Sequence, residues 1–140
     1  MAFAGVNYLA IALAAAIAFV FGGVWYGILS KPWMAAVGKT EQDIKASGTP
    51  MAVLFVVTFI AQLVMAWVLA GVIGHLGVGQ VTLRNGLITG ALAWLGFVAT
   101  TLVVNHGFQG AKPALTVIDG GHWLGVLLIQ GAVIGWMGVR

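Results

Sequence analysis

The sequence predicts an all-α membrane protein: four transmembrane helices in an antiparallel bundle, with a short interfacial helix in the first loop. Three observations carry that prediction. Apolar residues make up 61% of the 140 and charged residues only 6%, with a mean hydropathy of +1.08, so too few polar side chains remain to cover a water-facing globule. No charged side chain occurs from Met1 to Ser30, between Lys45 and Arg84, between Arg84 and Lys112, or between Asp119 and Arg140. The three prolines, Pro32, Pro50 and Pro113, fall in the expected connections, where a missing backbone N–H does least harm.

A span needs about 20 apolar residues at about 1.5 Å rise each. The chain reads as one domain, residues 1–140, with spans at about 5–29, 51–74, 82–105 and 117–139. The first segment lacks a basic leading region and ends in Trp25 and Tyr26, which suit a membrane interface, so it reads as a span and not as a cleaved leader. In the first loop Thr40 stands three residues before Asp43, a capping-box spacing ahead of Ile44. With Trp33, Met34 and Val37, this predicts a short helix lying on the membrane surface. The stretch from Lys45 to Arg84 is too long for one helix, and Gly71, Gly74, Gly77 and Gly79 divide it into a span and a turn.

Helices in lipid gain nothing from hydrophobic association and are held by close packing. Small residues recur at four-residue spacing in all four spans: Ala10, Ala14, Ala18 and Gly22; Ala66, Ala70 and Gly74; Gly86 and Gly90; Gly121 and Gly125, and Gly131 and Gly135. These stripes predict close helix contact, within one copy or between copies in a homo-oligomer.

Polar residues in or near the spans mark the candidate site, because an ionisable group in hydrocarbon costs about 2.5–3.5 kcal/mol on insertion scales unless sheltered. Asp119 is the only acid among the spans, and His122 follows at i+3 on the same face. The bundle topology brings Asn105, His106, Trp25 and Tyr26 to the same side. Two readings of this cluster stay open. Asp119 can sit in the first turn of the fourth helix, favoured by the helix dipole, with the aromatics forming an interfacial belt. Alternatively, Asp119 and His122 form a proton- or cation-handling pair. Gln62 and Gln130 lie near mid-span, where an amide commonly joins helices by a hydrogen bond, and Asn7, Thr89, Thr100 and Thr101 fit the same role.

Loops one and three carry Lys31, Lys39, Lys45 and Lys112, against Arg84 and Arg140 on the other side. The bias places those loops in the cytoplasm of a bacterial inner membrane protein and both termini outside. Cysteine is absent, which excludes disulfides and thiolate chemistry. The net charge of +3 comes from scattered residues that form no basic stripe, so nucleic acid is not an expected partner, while membrane lipids are. No phosphate-binding glycine loop, nucleophile elbow or zinc-protease helix occurs. Catalysis is therefore disfavoured, and no cofactor or metal is expected.

The run from Gly96 to Met137, GFVATTLVVNHGFQGAKPALTVIDGGHWLGVLLIQGAVIGWM, resembles the C-terminal half of the Domain of Unknown Function 1761 family of small bacterial four-helix membrane proteins. Asn7, the GGVWYG stretch from Gly22 to Gly27, Trp33, and Gly38, Thr40, Asp43 and Ile44 extend the resemblance over nearly the whole chain. It implies a four-span membrane protein and supplies no activity, ligand or catalytic residue. His122 departs from the pattern, which places an aromatic such as tyrosine there, and this shifts weight to Asp119 and Asn105. Small multidrug transporters match in length and span count, but the glutamate expected in their first helix is missing from Ala14 to Ala18. The sequence leaves three functional readings: a small oligomeric channel or transporter for a proton, cation or small solute; an accessory protein that packs against lipids or a partner; and a membrane enzyme acting on a lipid or quinone, against which the lack of a recognisable nucleophile or acid pair counts.

Overall fold

The computed structural model describes residues 3–140. Its long helices are α1 (Tyr8–Ile28), α4 (Met51–Gly74), a continuous third helix from Leu83 to Phe108, and α7 (Pro113–Met137). The third helix is composite, with α5 (Leu83–Ala93), a π-helical stretch (Trp94–Ala99) and α6 (Thr100–Phe108). Two short helices, α2 (Ser30–Val37) and α3 (Glu41–Lys45), fill the first connection. No strand occurs among the described residues. All four long helices are long and apolar enough to cross a membrane.

Local chemistry sets the helix starts. Asn7 caps α1 by accepting the Ala10 N–H at 3.2 Å, so it terminates the helix and does not join two of them. Thr40 and Asp43 form a reciprocal capping box at α3. Pro113 occupies the first position of α7, where its fixed φ suits a helix and no intrahelical N–H is lost. The fourth helix therefore begins four residues before Val117, the start expected from hydropathy, and this repositions Asp119.

The helix α7 is the hub, packing against α1, α4 and the third helix. The alanine stripe of α1 faces inward, with Ala10, Ala14 and Ala18 fully buried, and Ala14 shares a core cluster with Ala66 and Ala70 of α4 and Leu127 and Ile134 of α7. The contact between α5 and α7 is closer, because two backbones touch. A Cβ on Gly86 would fall on the Gly131 carbonyl, one on Gly131 would fall on that of Gly86, and one on Gly135 would meet Thr82. These pairs show that α5 and α7 run in opposite directions. Outward faces carry large exposed apolar side chains, among them Val20, Phe55, Val56, Phe97 and Phe108. Water would penalise such a surface and hydrocarbon would not.

Candidate functional site

The carboxylate of Asp119 lies six residues inside α7, beyond the first turn, which contains no acid. It is therefore not a capping group. Its Oδ1 accepts a hydrogen bond from the Tyr26 hydroxyl at 2.7 Å. The end of α1 is held in place by the neighbouring Trp25, whose indole N–H donates to the Ile118 carbonyl at 3.0 Å. Bonds from two adjacent residues to two adjacent residues fix the rotation of α1 on α7.

His122 is only 4% exposed. Its ring stacks on Phe21 at 6.1 Å and lies 4.9 Å from the Tyr26 ring, which Trp33 meets edge-on at 6.4 Å. A Cβ added to Gly22 would stand 2.7 Å from its Nε2, so glycine is needed there to seat the imidazole. The arrangement is reciprocal. The rings of Phe21 and Trp25 occupy the notches left by Gly125 and Gly121. Those two glycines serve to seat rings, whereas Gly131 and Gly135 allow backbone contact. The signal was present in the sequence as matched i,i+4 spacing: Phe21 and Trp25 on one helix, Gly121 and Gly125 on the other.

The remaining candidates are placed elsewhere. His106 is part-buried, with Nδ1 2.8 Å from the Thr116 hydroxyl. Asn105 is exposed and stands apart from the cluster. The π-helical stretch explains its position. On an uninterrupted α-helix the face that starts at Gly86 and Gly90 continues through Phe97, Thr101 and the Val104–Asn105 pair. The wider turn delays that face by one residue, onto Val98, Leu102 and His106, all partly buried, and leaves Phe97, Thr101 and Asn105 exposed. Thr100 and Thr101 turn back to the Gly96 and Phe97 carbonyls at 2.9 and 2.5 Å instead of joining helices. Trp94, which the sequence did not single out, anchors the stretch through a 2.8 Å bond from its indole N–H to the Gly120 carbonyl.

Two cavities are present at other places. One of about 620 Å³ lies at the opposite end of α7, where Gly5, Asn7, His75 and Arg140 line it and the Arg140 N–H bonds the Gly5 carbonyl at 3.0 Å. The other, of about 370 Å³, is a groove between the third helix and α7, lined by Trp94, Leu102, Val103, Thr116 and Leu124. Among the described residues no three His, Cys, Asp or Glu side chains come together as metal ligands.

Comparison with known families gives a match to Protein of unknown function (DUF1761) over residues 9–135. The chain belongs to the DUF1761 family. No curated protein and no solved structure matches it. The matched span of this DUF1761 chain contains both the Tyr26–Asp119 bond and the ring seats at Gly22, Gly121 and Gly125. All of these belong to one α1–α7 interface. Chemically, the interface sets a carboxylate beside a hydroxyl that orients it and an imidazole walled by aromatic rings.

Proposed function

We propose that this is a four-span bundle of the bacterial cytoplasmic membrane, in which Asp119 is the proton- or cation-handling group of a small oligomeric channel or transporter. One observation carries the reading: the only acid in the four long helices sits past the first turn of α7, on the Tyr26 hydroxyl at 2.7 Å. A carboxylate at that depth is costly in hydrocarbon, and membrane helices retain such groups chiefly where they bind or move something. Its proximity to the lysine-bearing loops supports a cytoplasmic entrance, and the bond from Lys112 Nζ to the Ala35 carbonyl at 3.2 Å holds loops one and three on one side.

A second reading, a non-transporting accessory protein, is favoured by a different observation. Toward the middle of α7 the interior beyond His122 is closed: Val126 is fully buried, as are Ala14 and Ala18. Flux therefore requires this packing to open, or a path between copies. Flux of protons and monovalent cations into liposomes holding the purified chain separates the readings. Transport through the site gives flux that Asp119→Asn abolishes and Tyr26→Phe reduces. No flux above empty liposomes under any imposed gradient would leave the accessory role.

A further inference from the structure

A cavity of about 620 Å³ stands at the end of α7 far from Asp119. Its walls come from three places in the chain: the turn before α1, the end of α4 with the glycine-rich second loop, and the residues that close α7. A backbone bond from the Arg140 N–H to the Gly5 carbonyl at 3.0 Å joins the first of these to the last. The volume falls within the range of about 300–1,000 Å³ usual for small-molecule sites. Three side chains bring polar chemistry to it, Asn7, His75 and Arg140, and every other lining residue is Gly, Ala, Val or Ile.

Local hydrogen bonds decide what those three side chains have left to offer. Asn7 Oδ1 is taken by the Ala10 N–H at 3.2 Å, which leaves the amide NH₂ as the free group. The Gly71 carbonyl can only accept, so the His75 ring carries its hydrogen on Nδ1, 3.0 Å away, and Nε2 stays free. The Arg140 guanidinium has no ion-pair partner among the described residues. No acidic side chain lines the cavity, and none belongs to this end of the bundle: Glu41 and Asp43 lie in α3 and Asp119 lies toward the opposite end of α7. A cation and an amide donor over apolar walls, with no opposing carboxylate side chain, suit an anion that carries an apolar portion. The fork of an arginine matches phosphate oxygens, and the end of a spanning bundle lies at the level of lipid headgroups, where phosphate abounds. We propose that this cavity binds a phosphate group, held by the Arg140 guanidinium and the Asn7 amide beside His75, with the rest of the ligand against Val6, Val81 and Ile134. The phosphate belongs to a lipid headgroup or to a free phosphate compound. The inference does not depend on transport.

The melting temperature of the full chain in non-ionic detergent tests this, because a ligand that binds only the folded form raises it. Short-chain phosphatidylglycerol is one probe and inorganic phosphate the other. Phosphatidylcholine of equal chain length is the blank, since its choline brings a further cation to a cationic site. Asn7→Asp keeps the capping oxygen of α1 and replaces the amide donor by a negative charge, while Arg140→Gln removes the cation. Arg84→Gln removes an equal charge at the same end of the bundle without touching the cavity, and is the control. The expected result is a rise with at least one probe in the native chain and in Arg84→Gln that is lost in Asn7→Asp and in Arg140→Gln. A rise with inorganic phosphate assigns the site to free phosphate compounds, and a rise with phosphatidylglycerol alone assigns it to a lipid headgroup. No rise with either probe, or a rise that Arg84→Gln diminishes as much as Arg140→Gln does, would overturn the site.

Discussion

The glycine seam between α5 and α7 makes the firmest quantitative prediction. Gly86→Ala or Gly131→Ala would place a methyl group on the facing carbonyl, and at Gly90 the added carbon would stand 2.5 Å from the Leu127 oxygen, where ordinary contact begins at 3.4 Å. Neither partner is a side chain that can swing away, so one helix must move out by roughly 1 Å, a gap that forfeits a quarter to a half of each dispersion contact it opens. The seam is shared by Gly86, Gly90, Gly131 and Gly135, so a shift at one opens all four. In lipid no hydrophobic force draws the helices back. Overpacking of this kind costs about 1–3 kcal/mol, and the helix-propensity gain of alanine returns about 0.5–1 kcal/mol. The net loss should lie between about 0 and 2.5 kcal/mol, centred near 1 kcal/mol, a factor of about 5 in the folded-to-unfolded ratio. Gly23→Ala in α1, where nothing lies within 4 Å, is the control and should be neutral or slightly stabilising. Unfolding followed by steric trapping in bicelles reads these differences. If Gly86→Ala and Gly131→Ala prove as stable as Gly23→Ala, the backbone-contact account is refuted.

Two further outcomes are expected. Gly22→Ala should destabilise by about 1–3 kcal/mol by crowding the His122 ring, and with His122→Ala it should show coupling of at least about 0.5 kcal/mol in a double-mutant cycle; strict additivity would mean that the ring does not depend on the glycine. In the first loop, hydrogen bonds from the Thr40 backbone N–H and hydroxyl hold the exposed Asp43 carboxylate below its ordinary pKa, with Lys39 adding to the effect. A depressed folded pKa means that the capping box contributes fully above the unfolded value of about 3.9 and loses its contribution as pH falls through the lower folded value. In Thr40→Ala the Asp43 midpoint, followed by carbon NMR, should rise, and an unmoved midpoint would show that the hydroxyl plays no part.

The four long helices were legible because charge gaps and proline positions are composition-level signals that no packing detail overrides. The inward alanine stripe of α1 and the Thr40–Asp43 box could also be read from spacing alone. The start of α7 could not: hydropathy places it near Val117, whereas proline's preference for the first helical position extends it to Pro113. That shift decided whether Asp119 was a cap or a buried partner of Tyr26. Asn105 was placed by topology alone, which fixes the side of the bundle but not the face of the helix, and the π-helical stretch, which has no proline or other breaker to announce it, turns that residue outward. Glycines were read as one class, but they divide into ring seats and backbone contacts according to what faces them on another helix.

The hub position of α7 also orders events in time. It is the last of the four long helices to emerge during synthesis, yet α1, α4 and the third helix all pack against it. At roughly 5–20 residues per second, the earlier helices exist for seconds before their common partner does. Through that interval Gly86 and Gly90 face no Gly131 or Leu127, and the Tyr26 hydroxyl has no carboxylate to bind. The earlier helices can settle only into a provisional arrangement, held by the α1–α4 contact and a smaller one between α4 and α5. Final registration of α1, α4 and the third helix on their common partner therefore waits for α7. Errors in α7 are expected to appear as failed biogenesis, with low yield and early degradation, before they appear as altered activity.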